Sequence, residues 1–373
     1  MKTFVLSPSS RSNSLGRGIS MALTAAELGD VELWAVEDGP VWPPSKKFAL
    51  DVNLFTADTR TGLIDRIGEA ARTDGDVLVW VSKGLHPLDL VAEAVAAVPG
   101  VTVIQDFDED DLALMVQHLK GDVRRWLDYP PLHPRGPIRV KRSQARAARA
   151  AVATSFTSDA IRNVYAARGT IGGKPAGRIP HTRPYIPADR PPVARERAAA
   201  DPLTLAFLGS IRPHKGLQSM VRLAEAMPDA KFVTFAASWR PPEHVRDRWT
   251  ELPADLPIVE AYEGVDLLLV PQDLRSPVAQ TQLSAKVIDA AQLGRAVVGS
   301  PTATLEEYCA GSYLPVDDWS RVDDIVRRIR EADVFSLGRR LRGVYDVEFS
   351  PQATAGRLRD LLNRAAVKGS NQA

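Results

Sequence analysis

A chain of 373 residues is too long for one ordinary hydrophobic core, and its length predicts two domains of roughly 150–200 residues each. With 45% apolar and 25% charged residues the composition is that of a globular protein, and a net charge of +1 argues against a nucleic acid as partner. The single cysteine, Cys309, excludes an intramolecular disulfide, and the histidines show no zinc-ligand spacing. No apolar run approaches the roughly 20 residues of a membrane helix, and the first residues are typical of a strand rather than a signal peptide. We therefore expect a cytoplasmic protein.

In the first half of the chain, short apolar runs alternate with alanine-rich helical patterns. Continuous apolar runs such as DVLVWVS indicate strands that are buried on both faces, as in a parallel sheet. Strands that alternate with helices predict a doubly wound domain. The predicted strands are residues 4–7, 31–36, 77–82, 101–107 and 151–155, and the predicted helices are residues 19–28, 62–72 and 88–97.

The stretch GGKPAGRIPHTRPYIPADRPPVARERAAADP divides the chain, because a core helix could not accommodate its prolines. We expect an N-terminal domain over residues 1–186, a linker over 187–202 and a second doubly wound domain over 203–350. Residues 351–373 are expected to form a C-terminal helix that can cross back to the N-terminal domain. Two such domains facing a cleft bind ligands at the carboxyl ends of their strands. The strands predicted in the second domain are residues 203–208, 231–236, 258–262, 265–270 and 296–300, and the helices are residues 217–226, 285–292 and 321–332.

The segment LTLAFLGSIRPHKGLQS places three basic side chains directly after a predicted strand. Gly209 lets the chain turn and a ligand approach the backbone, and Arg212, His214 and Lys215 follow before the next helix. Free N–H groups at the start of that helix, together with fixed positive charge, favour an anion such as a diphosphate. The alternative is a solvated basic loop. Neither the P-loop pattern GxxxxGK[ST] nor a GxGxxG turn after a first strand is present.

A second segment, DLLLVPQDLRSPVAQTQLSAKVIDAAQLGRAVVGSPTATLEEY, joins a buried strand to a polar loop, a helix with Lys286 and Asp289, a further strand and an acidic pair. In this order the two segments resemble the nucleotide-sugar site of GT-B glycosyltransferases, specifically the retaining family 4. Three segments of the first half are similar to that family's first strand with its acceptor loop, its acidic stretch after the fourth strand, and the strand before its hinge. They are SPSSRSNSLGRGISMALTAAELGDVELWAV, VIQDFDEDD and VATSFTSDAIRNVY.

The resemblance implies two Rossmann-like domains facing a cleft, the GT-B architecture. It also implies retaining transfer of a sugar from a nucleotide-diphosphate sugar, UDP- or GDP-linked, to a hydroxyl-bearing acceptor such as a natural product, a glycan or a lipid-linked glycan. No metal cofactor is implied. Enzymes of this kind stabilise the leaving diphosphate through preorganised cations and helix amides. On the family pattern, that catalytic role falls to Arg212, Lys215 and Lys286.

Asp289 matches the family acid that holds the ribose hydroxyls, although it could also be an ordinary acid on a helix surface. The chain departs from the family pattern at two positions. Thr281 stands where the family has an earlier acid, and Ser210 stands where it has an arginine, for which Arg212 can substitute. The predicted donor-binding residues are Gly209, Arg212, Lys215, Gln282, Ser284, Lys286, Asp289 and Glu306.

Acceptor contacts are expected at the ends of strands in the N-terminal domain. The glycines could simply be turn glycines ahead of a helix, and the acidic run that contains Asp106 and Asp108 could instead bind a metal, although the family needs none. A histidine could be satisfied within the fold or lie at the surface. For His118 and His181, too, a functional role is weighed against that of an ordinary histidine within the fold or at the surface. The predicted acceptor-binding residues are Gly16, Arg17, Asp106, Asp108 and His86.

The segment PRGPIRVKRSQARAARAAVA carries six basic residues and no acid. Arg142, Arg146 and Arg149 recur at i, i+4 and i+7, so one face of the expected helix is basic. Such a face can make peripheral contact with the anionic inner surface of a membrane, and the alternative is a solvated helix.

Two other functions are open. A catalytically degenerate GT-B protein would bind a nucleotide or a partner without turnover, as Thr281 and Ser210 would allow. A sugar-nucleotide epimerase or phosphorylase could use the same architecture, since a fold alone does not determine function. The sequence makes no prediction about the oligomeric state.

Overall fold

The computed structural model describes residues 1–48, 50–119, 136–186, 201–209, 217–236, 240–253 and 255–370, with the backbone alone for the helix-end residues 117–119, 217 and 368–370. The chain divides into two compact units. The first combines Met1–Thr182 with Pro351–Ala373, and the second is Arg183–Ser350. Among the described helices, none combines the length and the apolarity needed to cross a membrane.

In its described part, the first unit contains seven parallel strands in the order β3-β2-β1-β4-β5-β6-β7. The predicted strands over residues 31–36, 77–82 and 101–107 have these bounds in the structure. The strand over residues 77–82 is buried along its whole length, as expected for an apolar run inside a parallel sheet. The sequence missed the short strands β3 and β7 at the two edges. The strands are β1 Lys2–Ser7, β2 Val31–Val36, β3 Val52–Phe55, β4 Val77–Ser82, β5 Val101–Phe107, β6 Ala153–Phe156 and β7 Ala176–Arg178. The helices are α1 Ser14–Ala26, α2 Arg60–Asp74, α3 Leu88–Val95, α4 Asp111–Leu119, α5 Pro137–Ala150 and α6 Asp159–Ala167.

Helix α1 begins five residues earlier than predicted, so the interpretation of Gly16 and Gly18 as turn glycines ahead of the helix is wrong. Gly16, Arg17 and Gly18 belong to the first turns of the helix itself. A Cβ on Gly18 would lie 3.1 Å from Ser7 Cβ and 3.2 Å from Leu33 Cδ1. Close packing of the helix on the sheet therefore accounts for a glycine that helix propensity alone disfavours.

In its described part, the second unit contains six parallel strands in the order β10-β9-β8-β11-β12-β13. The sequence missed β10 and the edge strand β13. The strands are β8 Thr204–Phe207, β9 Lys231–Phe235, β10 Trp249–Leu252, β11 Leu267–Val270, β12 Ala296–Gly299 and β13 Leu314–Pro315. The helices are α7 Leu217–Ala226, α8 Ile258–Ala261, α9 Pro277–Thr281, α10 Ala285–Gln292, α11 Ala303–Cys309, α12 Val322–Glu331 and α13 Val334–Val344.

The strand predicted over residues 258–262 is wrong, because this run forms the short helix α8. Pro257 precedes the helix, and Tyr262 N donates to Ile258 O at 3.1 Å. Ala261 and Tyr262 are buried whereas Val259 is exposed. A short apolar run is equally compatible with a buried strand or a buried helix, and here the helix forms.

The last helix, α14 Pro351–Ser370, packs within the first unit. Its Leu358 and Leu361 join the hydrophobic core beside α1, and Gly177 in β7 allows Leu361 to approach within van der Waals contact. The hydroxyls of Thr24 and Thr354 are hydrogen bonded at 2.9 Å. Each unit thus has a parallel sheet with cores on both faces, and the predicted α/β class is confirmed.

Candidate functional site

The predicted donor turn after β8 is described as far as Gly209. Ser210, Arg212, His214 and Lys215 lie outside the described residues. Gly209 is in contact with Lys286 of α10, because a Cβ added to the glycine would lie 3.0 Å from Lys286 Cε and from Nζ. The fold therefore brings together one residue from each of the two sequence segments.

Lys286 lies against the face of Phe207, with Nζ 3.4 Å from the ring centroid, and is 9% exposed. The ring face stabilises the ammonium group. The side chain belongs to the first turn of α10, where the helix dipole disfavours a cation and favours an anion. The helix start and the positive charge of Lys286 would both favour an anion bound at this place.

The start of α10 is held by Tyr262, whose hydroxyl donates to Lys286 O at 3.1 Å. Burial raises the pKa of Tyr262 well above its ordinary value, and the charge of Asp289 adds to this, so the hydroxyl stays a donor. Gln282 and Ser284 are half-buried directly before the helix, with Ser284 at its N-cap position. Two of the predicted donor contacts thus stand beside Lys286 in the chain.

Asp289, the predicted ribose acid, is one turn further along α10 and is 7% exposed. Its Oδ1 accepts a hydrogen bond of 2.5 Å from Arg183 Nε. The sequence did not indicate this partner, because Arg183 stands in the proline-rich stretch that divides the chain, just before the predicted linker over residues 187–202. The local sequence shows that position 183 carries a positive charge but not which residue that charge contacts.

Thr281, which stands where the family has an acid, and Glu306, a predicted donor contact, both have partners within the second unit. The Thr281 hydroxyl donates to Pro277 O at 3.1 Å and to Val278 O at 3.3 Å, so it satisfies the backbone of α9. The Glu306 carboxylate accepts a hydrogen bond from the Tyr313 hydroxyl. A donor contact from Glu306 stays a prediction.

In the first unit, Arg17 and Asp106 form a buried ion pair with two parallel hydrogen bonds. The Nε–Oδ2 and Nη2–Oδ1 distances are 2.8 and 2.6 Å, and Ser155 Oγ donates to Asp106 Oδ1 at 2.6 Å. The guanidinium also donates to the carbonyls of Ile179 and Pro180. Burial raises the pKa of Asp106, against the effect of Arg17. This geometry is that of an interior network, and an acceptor contact by either residue stays a prediction.

The sequence missed Lys83, which is buried at the end of β4 with a positive φ of 61°. A non-glycine residue in this conformation is uncommon and is worth attention as a functional candidate. Lys83 Nζ lies 2.9 Å from Asp108 Oδ1 and 2.8 Å from Asp111 Oδ1, and it also bonds Glu109. The predicted acceptor residue Asp108 is therefore part of an acidic cluster around a lysine. We call these four residues the Lys83 cluster.

Charges in the Lys83 cluster strongly affect one another. Burial would lower the pKa of Lys83, but the carboxylates of Asp108, Asp111 and Glu109 outweigh it and raise the value. The pKa of Asp111 is raised to about 7, chiefly by burial. Lys83 lowers this pKa, whereas the charges of Glu109 and Asp108 raise it further. The pKa of Asp108 is lowered, because Lys83 and then His181 outweigh its burial.

The remaining predicted residues of the first unit are more peripheral. Gly16 faces the ring of Trp42, and His86 Nδ1 lies 3.3 Å from Asp89 Oδ1. The His118 side chain lies outside the described part of the chain. Among the described residues, no three or more His, Cys, Asp or Glu side chains are grouped so that they could hold a metal ion.

No family model matches the chain, and no curated protein does. Solved structures do match. One is that of Anabaena Alr3699/HepE in complex with UDP and glucose, at a TM-score of 0.66 and 11% identity over 97% of this chain and 99% of that one. The chain has the GT-B fold.

Two further GT-B structures are similar at lower TM-scores. Phytolacca americana UGT2, complexed with UDP-2fluoro-glucose and pterostilbene, has a TM-score of 0.56 at 10% identity, over 98% of this chain and 100% of that one. AviGT4, a glycosyltransferase involved in avilamycin A biosynthesis, has a TM-score of 0.53 at 14% identity, over 98% of each chain. At such identities the likeness shows the GT-B fold and not the reaction.

Proposed function

We propose that this GT-B protein is a retaining glycosyltransferase, related to family 4, that moves a sugar from a nucleotide-diphosphate sugar to a hydroxyl-bearing acceptor. The observation that carries the proposal is the contact of Lys286 with Gly209 at the carboxyl end of β8. It places a buried ammonium group where a doubly wound domain binds its ligand. The UDP-sugar ligands named for the similar GT-B structures support the same class of donor.

In this proposal the leaving diphosphate lies over the Gly209 turn. Lys286 and the amides at the start of α10 stabilise the charge that develops as the glycosidic bond breaks, and Arg212 and Lys215 add to it. Asp289 accepts from the ribose hydroxyls. Gln282, Ser284 and Glu306 complete the donor contacts, and the acceptor binds at the strand ends of the first unit.

Calorimetric titration of the full chain with UDP, GDP and their glucose derivatives tests the donor site. One nucleoside diphosphate is expected to bind and to raise the unfolding temperature according to its affinity and concentration. No binding by either nucleotide would contradict the proposal.

Binding without release of nucleotide in the presence of acceptors would favour the degenerate alternative. Phosphate-dependent release would favour a phosphorylase, and a changed sugar nucleotide without acceptor would favour an epimerase. An α-linked product from an α-linked donor would establish retention.

We also propose a peripheral contact between helix α5 and an anionic membrane on the cytoplasmic side. The buried face of α5 packs inward, while Ile138, Lys141, Arg142 and Arg149 are exposed on the outer side. Arg146 is engaged by Asp89 at 3.1 Å. Because an exposed isoleucine accompanies the cations, a lipid surface suits this face better than a nucleic acid does.

Sedimentation with phosphatidylglycerol-containing vesicles tests this contact. Replacing Lys141, Arg142 and Arg149 together by Gln is expected to weaken binding on the order of a hundredfold, since each cation near an anionic surface contributes about 1 kcal/mol. Arg327→Gln, an exposed change on α12, is the control and should bind as the unchanged protein does. Equal binding to neutral phosphatidylcholine vesicles, or binding to duplex DNA instead, would contradict it.

A further inference from the structure

The pair of Arg183 and Asp289 joins the first residue of the second unit to helix α10. Arg183 Nε donates to Asp289 Oδ1 at 2.5 Å, and both side chains are 11% exposed. A carboxylate has about four acceptor positions, so one bond to an arginine leaves capacity for a ribose hydroxyl. We infer that Arg183 is a positioning residue that orients the Asp289 carboxylate toward the ribose of the donor. The inference rests on the proposed function.

The backbone around Arg183 is anchored to the same unit. The Tyr345 hydroxyl lies 3.0 Å from Arg183 O and 3.1 Å from Pro184 O, which both accept from it. The Gln292 amide also donates to Pro184 O. Because the backbone is held in this way, the guanidinium reaches Asp289 from a fixed base, and less conformational entropy is lost when the two side chains are ordered together.

The arginine also fixes a rotation that the acid alone would leave loose. The terminal torsion of an aspartate is broad, so the plane of a lone carboxylate can rotate over a wide range of angles relative to a ligand. The bond from Arg183 to Oδ1 selects one orientation. Asp289 stands one turn after Lys286 in α10, and the Tyr262 hydroxyl donates to the carbonyl of Lys286. The two residues proposed to contact the sugar nucleotide therefore lie on one helix whose start is anchored.

Binding of UDP and of 2′,3′-dideoxy-UDP, measured by calorimetry on the full chain, separates positioning from a merely structural role. Arg183→Gln is expected to weaken UDP binding about tenfold, the scale of one hydrogen bond to a charged group. Its affinity for the dideoxy probe should stay within about twofold of the unchanged protein, because that ligand offers no ribose hydroxyl to Asp289. Asp289→Asn should show the same selective loss.

Arg183→Lys keeps the positive charge that stabilises the buried acid but lacks the planar guanidinium. This variant is expected to fold even if Arg183→Gln does not. Its affinity for UDP should fall about threefold while its affinity for the dideoxy probe is unchanged, since a lysine is a point charge without the fixed donor geometry. Arg327→Gln should change neither affinity. Equal losses for both probes in a folded variant, or no loss for either, would overturn the inference. If the unchanged chain binds neither probe, the proposed donor site itself is wrong, and that outcome is distinct from the other two.

Discussion

The two units present buried lysines near the carboxyl ends of their sheets, in different surroundings. Lys83 of the first unit is 1% exposed and lies among three carboxylates. Lys286 of the second unit is 9% exposed and lies against the ring of Phe207, beneath Gly209. A lysine among carboxylates is neutralised within its own unit, whereas a lysine on a ring face at a helix start is placed to meet an anion. In the donor proposal, the difference separates a charge that holds the fold, Lys83, from one that binds a ligand, Lys286.

The largest effect is expected from breaking the buried pair that accompanies Lys83 in the first unit. Asp106→Ala leaves Arg17 without its carboxylate, and loss of one partner of a buried ion pair costs about 3–5 kcal/mol of unfolding free energy. Urea denaturation measures the change. Arg66→Ala breaks a pair with Glu32 in which the arginine is 50% exposed, and should cost at most about 1 kcal/mol. Similar losses for the two variants would remove the distinction between interior and surface charges.

The next effect compares the two lysines directly. Lys286→Met is expected to lower kcat/KM for the nucleotide sugar on the order of a hundredfold, because a preorganised charge at the leaving diphosphate is lost. Lys83→Met should instead lower the unfolding free energy, since three carboxylates lose their cation. Lys231→Met, at an exposed position of β9, serves as the control for both measurements. Full activity in a folded Lys286→Met protein would contradict the catalytic role of Lys286 and leave it a structural role only.

The last effect is a pH dependence within the Lys83 cluster. The folded-state pKa of Asp111, about 7, lies above the unfolded value of about 3.9. The folded state therefore binds the proton more tightly, and this contribution to stability is full below about pH 4 and lost as the pH rises to about 7. Relative to Asp111→Asn, the unchanged protein should lose at least about 1 kcal/mol of unfolding free energy over that range. Parallel pH profiles for the two proteins would mean that Asp111 is ionised throughout.

The local pattern of residues determined most of the secondary structure. Runs rich in apolar residues predicted the bounds of β2, β4 and β5 to the residue, and helical periodicity did the same for α7 and α10. Edge strands such as β3 and β13 were not predicted, because they are too short to give a recognisable apolar pattern. The run at Ile258–Ala261 was misassigned, since four apolar-rich residues have no period that separates helix from strand.

The sequence by itself determined the doubly wound class and the bounds of α10, and it predicts the glycine turn after β8 and the α10 residues that the donor proposal uses. Only the tertiary structure decided which charges meet. Arg17 and Asp106 are 89 positions apart, and Arg183 and Asp289 are 106 positions apart. Periodicity records which face of an element is apolar, and this is a local property of the chain. The partner of a buried charge depends on how distant strands and helices pack, because a few ångströms decide whether an arginine neutralises an acid or leaves it to a ligand.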